Sequence, residues 1–382
     1  MQINILGMTL PSITKIKNLK GKRVLLRLDL NVPVYGSEVR GDFRIKKSLK
    51  TIRFLKKAGA KTVIISHISK NGNATLKHVA RYMNKYTRVG FVPRLLGDNT
   101  KETIFNMRNG SALILENLRS DDGEISNDIK FAKQLSSMAD IYVNDAFAVS
   151  HRKHASIIQL PKLLPAYIGI LFEEEIKNLS LALRPPKSAL LILGGAKIET
   201  KLPLLKKYAN IIQNVFVGGA LANTILKEKG FELGKSLVGD DGIEGIKKIS
   251  ANKHILLPSD VVVKNGRKVL IKKIEQISSS DIVMDIGPLS TEKLKLLMSK
   301  SKMIVLNGPL GNYERGFDKS TVSILKEMGK SKAKTIIGGG DTAFFVSKLK
   351  LNKKLDFIST GGGAMLEFLS KGTLPGIEAI KK

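Results

Sequence analysis

The sequence predicts an α/β protein of two Rossmann-like lobes, each built on a parallel β-sheet flanked by helices, with a hinge helix joining them. Its 382 residues are the length of two ordinary domains. Short runs rich in Val, Ile and Leu alternate with longer helical patterns along nearly the whole chain, which is typical of βαβ units. Prolines also bracket one helical segment near the middle, at Pro161, Pro165, Pro185 and Pro186.

The predicted strands fall into two groups. In the first half they are Arg23–Leu28, Thr62–Ile65, Ala112–Leu115 and Ile141–Val143, and in the second Ala189–Leu193, Asn214–Val217, Met303–Leu306, Thr335–Ile337 and Leu355–Ile358. The helical patterns between them include Leu49–Ala58, Lys130–Met138, Ile198–Tyr208 and Thr342–Leu349. We therefore predict an N-terminal lobe at 1–168, a hinge helix at 169–186 and a C-terminal lobe at 187–371. We expect the tail, 372–382, to pack back on the first lobe.

Composition excludes several classes of protein. The chain has no cysteine, so disulfides, thiolate chemistry and cysteine-bound metal clusters are excluded. Its start lacks the pattern of a signal peptide, and no apolar run is long enough to span a bilayer. A cytoplasmic protein with no membrane partner is the expectation.

The formal charge of +31 raises the alternative of a nucleic-acid-binding protein. The excess is spread over the chain, however, with +17 in residues 1–165 and +14 in the remainder. Aromatic residues make up 5% of the chain and do not interleave with the basic ones. A solvated basic surface is the favoured interpretation, and nucleic acid is not an expected partner.

Five predicted strands of the second half run into glycine. These glycines are Gly194-Gly195, Gly218-Gly219, Gly308, Gly338–Gly340 and Gly361–Gly363. Glycine lets backbone amides approach a ligand, and the helix start that follows is a ready phosphate site. Tight turns alone can also require glycine, but five turns at one sheet edge favour phosphate or nucleotide binding. Neither a P-loop nor a G-x-G-x-x-G motif is present.

Two lysines and a carboxylate accompany these glycines. Lys197 and Lys201 lie four residues apart on a predicted helix, where like charges repel unless an anion faces them. Solvated surface lysines are the structural alternative, and a role in stabilising a transferring phosphoryl group is favoured. Asp341 follows the glycine triplet, and its position fits helix capping and Mg²⁺ binding equally well.

The first-half strands are followed by polar residues instead. This set consists of Asp29, Asn31, Arg44, His67, Arg119, Asn144, Asp145, His151, Arg152 and His154. Arginine forks and imidazoles suit phosphate and carboxylate oxygens, so the set predicts a site for a small, multiply anionic ligand. One lobe would thus bind the phosphates of a nucleotide and the other a small anion. This division is typical of a kinase whose lobes close to exclude water during phosphoryl transfer.

Motifs along almost the entire chain resemble those of the phosphoglycerate kinase family, in the family's order. They are Arg27-Leu-Asp-Leu-Asn-Val-Pro33, Ser66-His67, Leu115-Glu-Asn-Leu-Arg119, Asn144-Asp-Ala-Phe147, Gly194-Gly-Ala-Lys197, Asn307-Gly-Pro309, Gly338-Gly-Gly-Asp-Thr342, Ser359-Thr-Gly-Gly-Gly-Ala364 and Leu374-Pro-Gly376. The short length and the Ala-Phe-Ala and Asp285-Ile-Gly-Pro288 variants look similar to archaeal members.

The resemblance implies reversible, Mg²⁺-dependent phosphoryl transfer between 1,3-bisphosphoglycerate and ADP, giving 3-phosphoglycerate and ATP, as in glycolysis. A monomer is the expected oligomeric state. The implied 3-phosphoglycerate ligands are Asp29, Asn31, Arg44, His67, Lys70, Arg119 and Arg152. The implied nucleotide ligands are Gly195, Lys201, Gly219, Gly287, Asn307, Pro309, Glu314, Gly338, Gly339, Gly340, Asp341 and Thr342, with Asp341 also on Mg²⁺ of Mg-ADP or Mg-ATP. The implied catalytic residues are Arg44, Lys197, Gly340 and Gly363.

The chain departs from the family pattern at two places. After Ser66-His67 the usual L-G-R-P is replaced by Ile68-Ser-Lys-Asn71, where Lys70 keeps the charge without the planar fork. Ala220-Leu221 replaces the usual Gly-Met beside the implied adenine site. A nucleotide-dependent kinase of another carboxylate therefore stays an alternative.

Overall fold

The computed structural model describes residues 2–5, 8–69, 74–240 and 245–381. The predicted ligand Lys70 and its neighbour Asn71 lie outside these ranges. The described chain divides into two compact units, residues 1–180 with 373–382 and residues 181–372. The border between them falls inside a single helix, Ile170–Leu183.

Unit 1 is built on a six-stranded parallel sheet. Its strands are β3 (Arg23–Arg27), β6 (Lys61–Ile65), β7 (Gly90–Val92), β8 (Ala112–Leu115), β9 (Ile141–Asn144) and β10 (Ala166–Ile168), in the spatial order β10-β9-β3-β6-β8-β7. Two antiparallel pairs, β1 (Gln2–Ile5) with β2 (Met8–Pro11) and β4 (Val34–Tyr35) with β5 (Glu38–Val39), are separate from it. Neighbours β9, β3, β6 and β8 therefore place their carboxyl ends side by side.

The helices of unit 1 follow the strands along the chain. They are α1 (Phe43–Lys57), α2 (Lys77–Met83), α3 (Asp98–Phe105), α4 (Asp122–Ile125), α5 (Ile129–Ser136), α6 (Ala155–Ile158), α7 (Leu160–Leu163), the first part of α8 (Ile170–Leu183) and α16 (Pro375–Glu378). Helix α1 buries Ile45, Ile52 and Leu55 in the same core as Val24 and Leu26 of β3. Apolar residues three and four apart give that helix its core-facing stripe.

Unit 2 repeats the plan with a second six-stranded parallel sheet. Its strands are β11 (Ala189–Leu193), β12 (Asn214–Val217), β13 (Ile255–Leu256), β17 (Met303–Asn307), β18 (Lys334–Gly338) and β19 (Phe357–Ile358), ordered β13-β12-β11-β17-β18-β19. The helices are α9 (Leu202–Tyr208), α10 (Gly219–Glu228), α11 (Ile246–Ser250), α12 (Pro288–Ser299), α13 (Lys319–Met328), α14 (Gly340–Lys348) and α15 (Gly362–Lys371). Every residue of β11 and β17 is buried, as expected for central strands of a sheet covered on both faces.

The predicted fold class is confirmed, but the edge strands β7, β10 and β13 were not predicted, and two further local features differ from prediction. Unit 2 carries an additional antiparallel sheet of β14 (Asp260–Asn265), β15 (Lys268–Lys273) and β16 (Ile282–Ile286). Strand β15 is almost wholly exposed, so it shows no alternating apolar pattern by which sequence could reveal it. Helix α9 begins at Leu202 and not at Ile198, because residues 195–201 form turns and Pro203 fits only the first helical turn.

A buried carboxylate anchors the start of α8. Asp145 is fully buried, and its Oδ1 accepts a 2.9 Å hydrogen bond from the amide of Phe172. A side chain at Gly169 would collide with it, since a Cβ there would lie 2.3 Å from Oδ1. Burial, only partly offset by hydrogen bonds, raises the pKa of Asp145 to about 7. Ionisation of this carboxyl group near neutral pH therefore lowers the stability of the folded state.

This pKa gives the first prediction. With a folded pKa of about 7 against an unfolded 3.8, Asp145 loses its stabilising contribution as pH rises from about 4 to about 7. The free energy of unfolding of Asp145→Asn, measured relative to that of the native chain, should therefore rise by about 4 kcal/mol from about pH 4 to about pH 8. Urea unfolding followed by circular dichroism measures the difference. Asp140→Asn is the control, and its relative stability should change with pH in the opposite direction, because the hydrogen bond from Arg23 helps to lower the pKa of Asp140. A pH-independent difference for Asp145→Asn would contradict the account.

Candidate active site

The loops after β3, β6 and β8 are held together by buried side chains. Ser66 Oγ donates to the carbonyl of Leu28 at 2.7 Å and accepts from the amide of Leu30 at 2.9 Å. Asn117 accepts from the amide of Ile68 at 3.1 Å and donates to its carbonyl at 3.0 Å. These bonds fix the backbone from which the polar residues of unit 1 project. We call that set the Arg/His face; it comprises Asp29, Asn31, Arg44, His67, Arg119, His151, Arg152 and His154.

Arg44 is oriented at one side of the Arg/His face. It lies in the first turn of α1, and its guanidinium is 3.3 Å from Asp29 Oδ2 and 2.7 Å from the carbonyl oxygen of Asn31. The side-chain oxygen of Asn31 accepts from the amide of Ser69 at 3.0 Å. A quarter of the Arg44 side chain stays exposed (25%), so the guanidinium is positioned and still accessible to a ligand.

His67 is held as a neutral hydrogen-bond donor. Arg27 Nη2 lies 3.3 Å from His67 Nδ1, and a guanidinium can only donate, so Nδ1 accepts and the ring proton resides on Nε2. Burial, followed by the charges of Arg27 and Arg119 and of other arginines, holds the pKa of His67 well below its usual value. Burial is also the main cause that lowers the pKa of His154, to about 4.

A buried ionic network adjoins the Arg/His face, and its members were assigned no role from the sequence. Arg27 is fully buried, donates to Ser156 Oγ at 2.9 Å and lies 3.7 Å from Glu124 Oε1. Glu124 also accepts from the amide and hydroxyl of Ser156. Burial raises the pKa of Glu124, although Arg27 opposes that shift. A buried pair of this kind fixes geometry more than it stabilises the fold.

Arg119 has too few acceptors around it, and a second cation, Arg152, lies close enough to perturb it. Arg119 is 8% exposed and donates to the carbonyl of Ser69, while its buried Nε has no hydrogen-bond partner among the described residues. Burial and then the charge of Arg152 lower the pKa of Arg119. Arg152 is exposed at the surface. An anion bound between these groups would supply acceptors and relieve the repulsion.

The strand ends of unit 2 meet at glycines, which we call the glycine edge: Gly194-Gly195, Gly218-Gly219, Gly308, Gly338–Gly340 and Gly361–Gly363. A Cβ on Gly194 would lie 2.1 Å from the carbonyl oxygen of Pro309, and one on Gly219 would lie 2.8 Å from the amide nitrogen of Gly195. Gly308 and Gly219 also have positive φ, at +87° and +62°. Only glycine allows the loops after β11, β12 and β17 to approach so closely.

A cavity of about 290 Å³ opens at the glycine edge. The predicted nucleotide ligands that line it are Gly195, Gly219, Pro309, Glu314 and Asp341. Sequence reasoning missed others that line it, among them Asn223, Leu226, Asp285, Leu310 and Tyr313. Glycine backbone on one side and apolar side chains on the other suit a flat heterocycle with a polar tail.

The remaining predicted nucleotide ligands lie near this edge without lining the cavity. Asn307 donates to the carbonyl of Gly362 at 3.4 Å, and Gly338 packs on Met365. Gly340 and Gly363 lie at the exposed starts of α14 and α15, where helix amides point outwards. Thr342 is buried close to Gly339, and Gly287 abuts the carboxyl of Asp260.

The two predicted lysines are close together but differ in environment. Lys197 is exposed in the turns before α9, and Lys201 is only 5% exposed. Lys201 Nζ donates to the carbonyl of Lys197 at 3.0 Å. Burial and then the charge of Lys197 lower the pKa of Lys201 to about 8. An anion beside both ammonium groups would favour the charged form of Lys201 and raise its pKa again.

Comparisons with known proteins agree with this geometry. The phosphoglycerate kinase family model matches residues 13–372. The chain is 38% identical to a phosphoglycerate kinase of Wolbachia sp. subsp. Drosophila simulans, with 98% of this chain and 99% of the relative covered. It is 36% identical to one of Dictyoglomus turgidum, with 96% and 97% covered.

Solved structures give the same result. Phosphoglycerate kinase from Coxiella burnetii matches with a TM-score of 0.81 at 33% identity, and that from Pyrococcus horikoshii with 0.89 at 31%. Each match covers 97% of this chain and 98% of the other. The predicted likeness to archaeal members is not supported, because the curated relatives at 36–38% identity are bacterial. Family model, relatives and structures agree: the chain belongs to the phosphoglycerate kinase family.

Proposed function

We propose that the Arg/His face binds 3-phosphoglycerate and the glycine edge binds the adenine nucleotide. Membership in the family makes the chain a phosphotransferase with a carboxyl group as acceptor. The observation that carries the assignment of the first ligand is the buried, unsatisfied Nε of Arg119, beside the exposed Arg152 and the accessible guanidinium of Arg44. Three guanidiniums and the Nε2–H of His67 match a phosphate and a carboxylate on one small molecule.

The cavity at the glycine edge supports the nucleotide assignment. Its apolar side would take the base, and Glu314, which lines it, would take the ribose hydroxyls. Amides at the starts of α14 and α15, together with Lys201 and Lys197, would hold the phosphates. We also assign nucleotide binding, as the resemblance implies, to Asn307, Gly287, Thr342 and Gly338–Gly340.

Mg²⁺ fits this arrangement through Asp341. Its side chain is exposed and lines the cavity, so a carboxylate oxygen is available there. Among the described residues no three His, Asp or Glu side chains converge on one point. A single carboxylate with phosphate oxygens and water is the usual way in which proteins hold a nucleotide-bound Mg²⁺. The ion, when bound, would neutralise charge that develops on the phosphates.

The proposed chemistry needs no general base. In one direction the carboxylate of 3-phosphoglycerate attacks the terminal phosphoryl group of ATP, and in the other a phosphate oxygen of ADP attacks the acyl phosphate. Both nucleophiles are already ionised at neutral pH, so the protein supplies positioning and fixed positive charge. We assign that charge to Arg44 and Lys197, with amides of Gly340 and Gly363 beside the transferring group.

The cellular location and the oligomeric state of the enzyme are also part of the proposed function. We propose a cytoplasmic monomer that divides the two substrates between residues 1–168 and residues 187–371. The described residues contain no helix with the length and apolar character needed to cross a membrane. Sedimentation velocity tests the monomer, since a larger species at micromolar concentration would contradict it.

The division of ligands is tested with Arg152→Lys. Lysine keeps the charge and loses the bidentate fork, so we expect 3-phosphoglycerate affinity to fall roughly tenfold, as for loss of one charge-assisted hydrogen bond, with ADP affinity unchanged. Isothermal titration calorimetry with each ligand separately measures both. Arg108→Lys, at another exposed arginine of unit 1, is the matched control. A loss of ADP affinity would show that the ligands are assigned to the wrong faces.

A further inference from the structure

Tyr313 occupies a position at the nucleotide cavity that the reaction described above does not use. It lies in the turn Tyr313–Arg315 and lines the cavity together with Asp341. The turn is fixed by its own backbone, since Asn312 donates to the carbonyl of Met284 at 2.7 Å and accepts from the amide of Phe317 at 3.1 Å. The tyrosine therefore projects from a backbone that is tied to β16.

The ring of Tyr313 is held against helix α14. It meets the ring of Phe345 edge to face, with centroids 5.4 Å apart and planes at 82°. Phe345 is buried, and it lies four residues after Asp341 on the same helix. Residues i and i+4 lie one above the other on a helix face, with the earlier residue nearer the N-terminus. A ring packed on Phe345 thus has its hydroxyl within reach of Asp341.

Tyr313 and Asp341 line the same cavity, and the packing of the ring on Phe345 brings the phenol close to the carboxylate. Burial, followed by hydrogen bonding to Asp341 and the charge of Asp341, raises the pKa of Tyr313, so the phenol is protonated and can donate at neutral pH. The opposite charge near the carboxylate is Lys201: burial and then the charge of Lys197 lower its pKa, and Asp341 opposes that shift. A hydrogen bond from the phenol would hold one side of the carboxylate and leave its other lone pairs to a ligand in the cavity.

We propose that Tyr313 is a positioning residue, which orients the carboxylate of Asp341 toward the Mg²⁺ of the bound nucleotide. This inference rests on the proposed function, in which Asp341 is the metal ligand. Carboxylate ligands to metals are commonly aimed by a hydrogen bond to one oxygen, and removal of such a partner typically weakens metal binding by a factor of ten or more.

Tyr313→Phe removes the hydroxyl and keeps the ring that packs on Phe345. We expect the affinity for ADP in the presence of Mg²⁺ to fall roughly tenfold, and the affinity for ADP with EDTA to stay unchanged. Calorimetric titration with ADP under both conditions measures this without any turnover. Tyr86→Phe is the matched control, since Tyr86 donates to Asp42 at 2.6 Å in unit 1, and it should change neither affinity.

A second variant separates the inference from its premise. Asp341→Asn should abolish the gain in ADP affinity that Mg²⁺ provides, and Tyr313→Phe added to it should have no further effect. If Asp341→Asn leaves the Mg²⁺ effect intact, the metal assignment itself is wrong. If Asp341→Asn abolishes the effect and Tyr313→Phe does not reduce it, only the positioning role is wrong. An equal loss with Mg²⁺ and with EDTA would mean that the phenol contacts the nucleotide directly, which also overturns the proposal.

Discussion

Lys197→Ala is expected to lower kcat by roughly 10²- to 10³-fold, the usual cost of removing one group that stabilises transition-state charge. Lys197 is exposed in the turns before α9, so its side chain is not needed for folding. Its ammonium lies near enough to Lys201 to lower the pKa of that group. In the proposed mechanism its charge acts on the phosphoryl group only during transfer, so the KM values should change much less than kcat.

Steady-state kinetics in both directions tests this separation. Lys253→Ala, at another exposed lysine of unit 2, is the matched control and should leave both constants unchanged. An increase in KM for nucleotide with kcat preserved would contradict a role in transfer and would make Lys197 a binding residue.

Gly194→Ala is expected to have the largest effect on the nucleotide cavity. The added Cβ would lie 2.1 Å from the carbonyl oxygen of Pro309, which is backbone and has no flexible end to move away. The loops that carry Gly195 and Pro309 must separate, and both residues line the cavity. Overpacking of this kind costs roughly 1–3 kcal/mol of unfolding free energy. Displacement of a loop that positions substrate by about 1 Å can reduce kcat/KM by roughly 10²-fold.

Thermal unfolding and ADP titration check the two parts of this expectation. Gly329→Ala is the matched control, because the closest neighbour of its added Cβ would be the flexible end of Leu351, at 3.2 Å, and the backbone oxygen of Lys326 would lie at an ordinary contact distance of 3.5 Å. If Gly194→Ala kept both its melting temperature and its ADP affinity, close backbone approach would not be the reason for glycine at the end of β11.

Sequence could locate the glycine edge and the Arg/His face because both depend on where strands end. A run such as Ala189–Leu193 is recognisable as a buried strand, and parallel strands end at one edge of the sheet. Gly194 follows β11 directly, and Arg119 lies in the turn Leu118–Ser120 after β8. Their grouping is therefore a consequence of local pattern and general topology, which a single sequence contains.

Contacts between distant segments could not be predicted in the same way. Arg27 meets Glu124 only because β3 and α4 are brought together by the fold, and either residue alone is an ordinary charged side chain. The phenol of Tyr313 reaches Asp341 through its packing on Phe345, which no spacing rule indicates. The burial of Lys201 depends on the turns before α9, where sequence periodicity predicted helix.

The central claim is that this chain transfers phosphoryl groups between adenine nucleotide and 3-phosphoglycerate, using the residues assigned above. A coupled assay that follows ADP formation from ATP, Mg²⁺ and 3-phosphoglycerate tests it most directly. We expect turnover that requires all three components and that does not occur when another small carboxylic acid replaces 3-phosphoglycerate. Folded protein that gives no turnover, or that turns over another acid equally well, would contradict it.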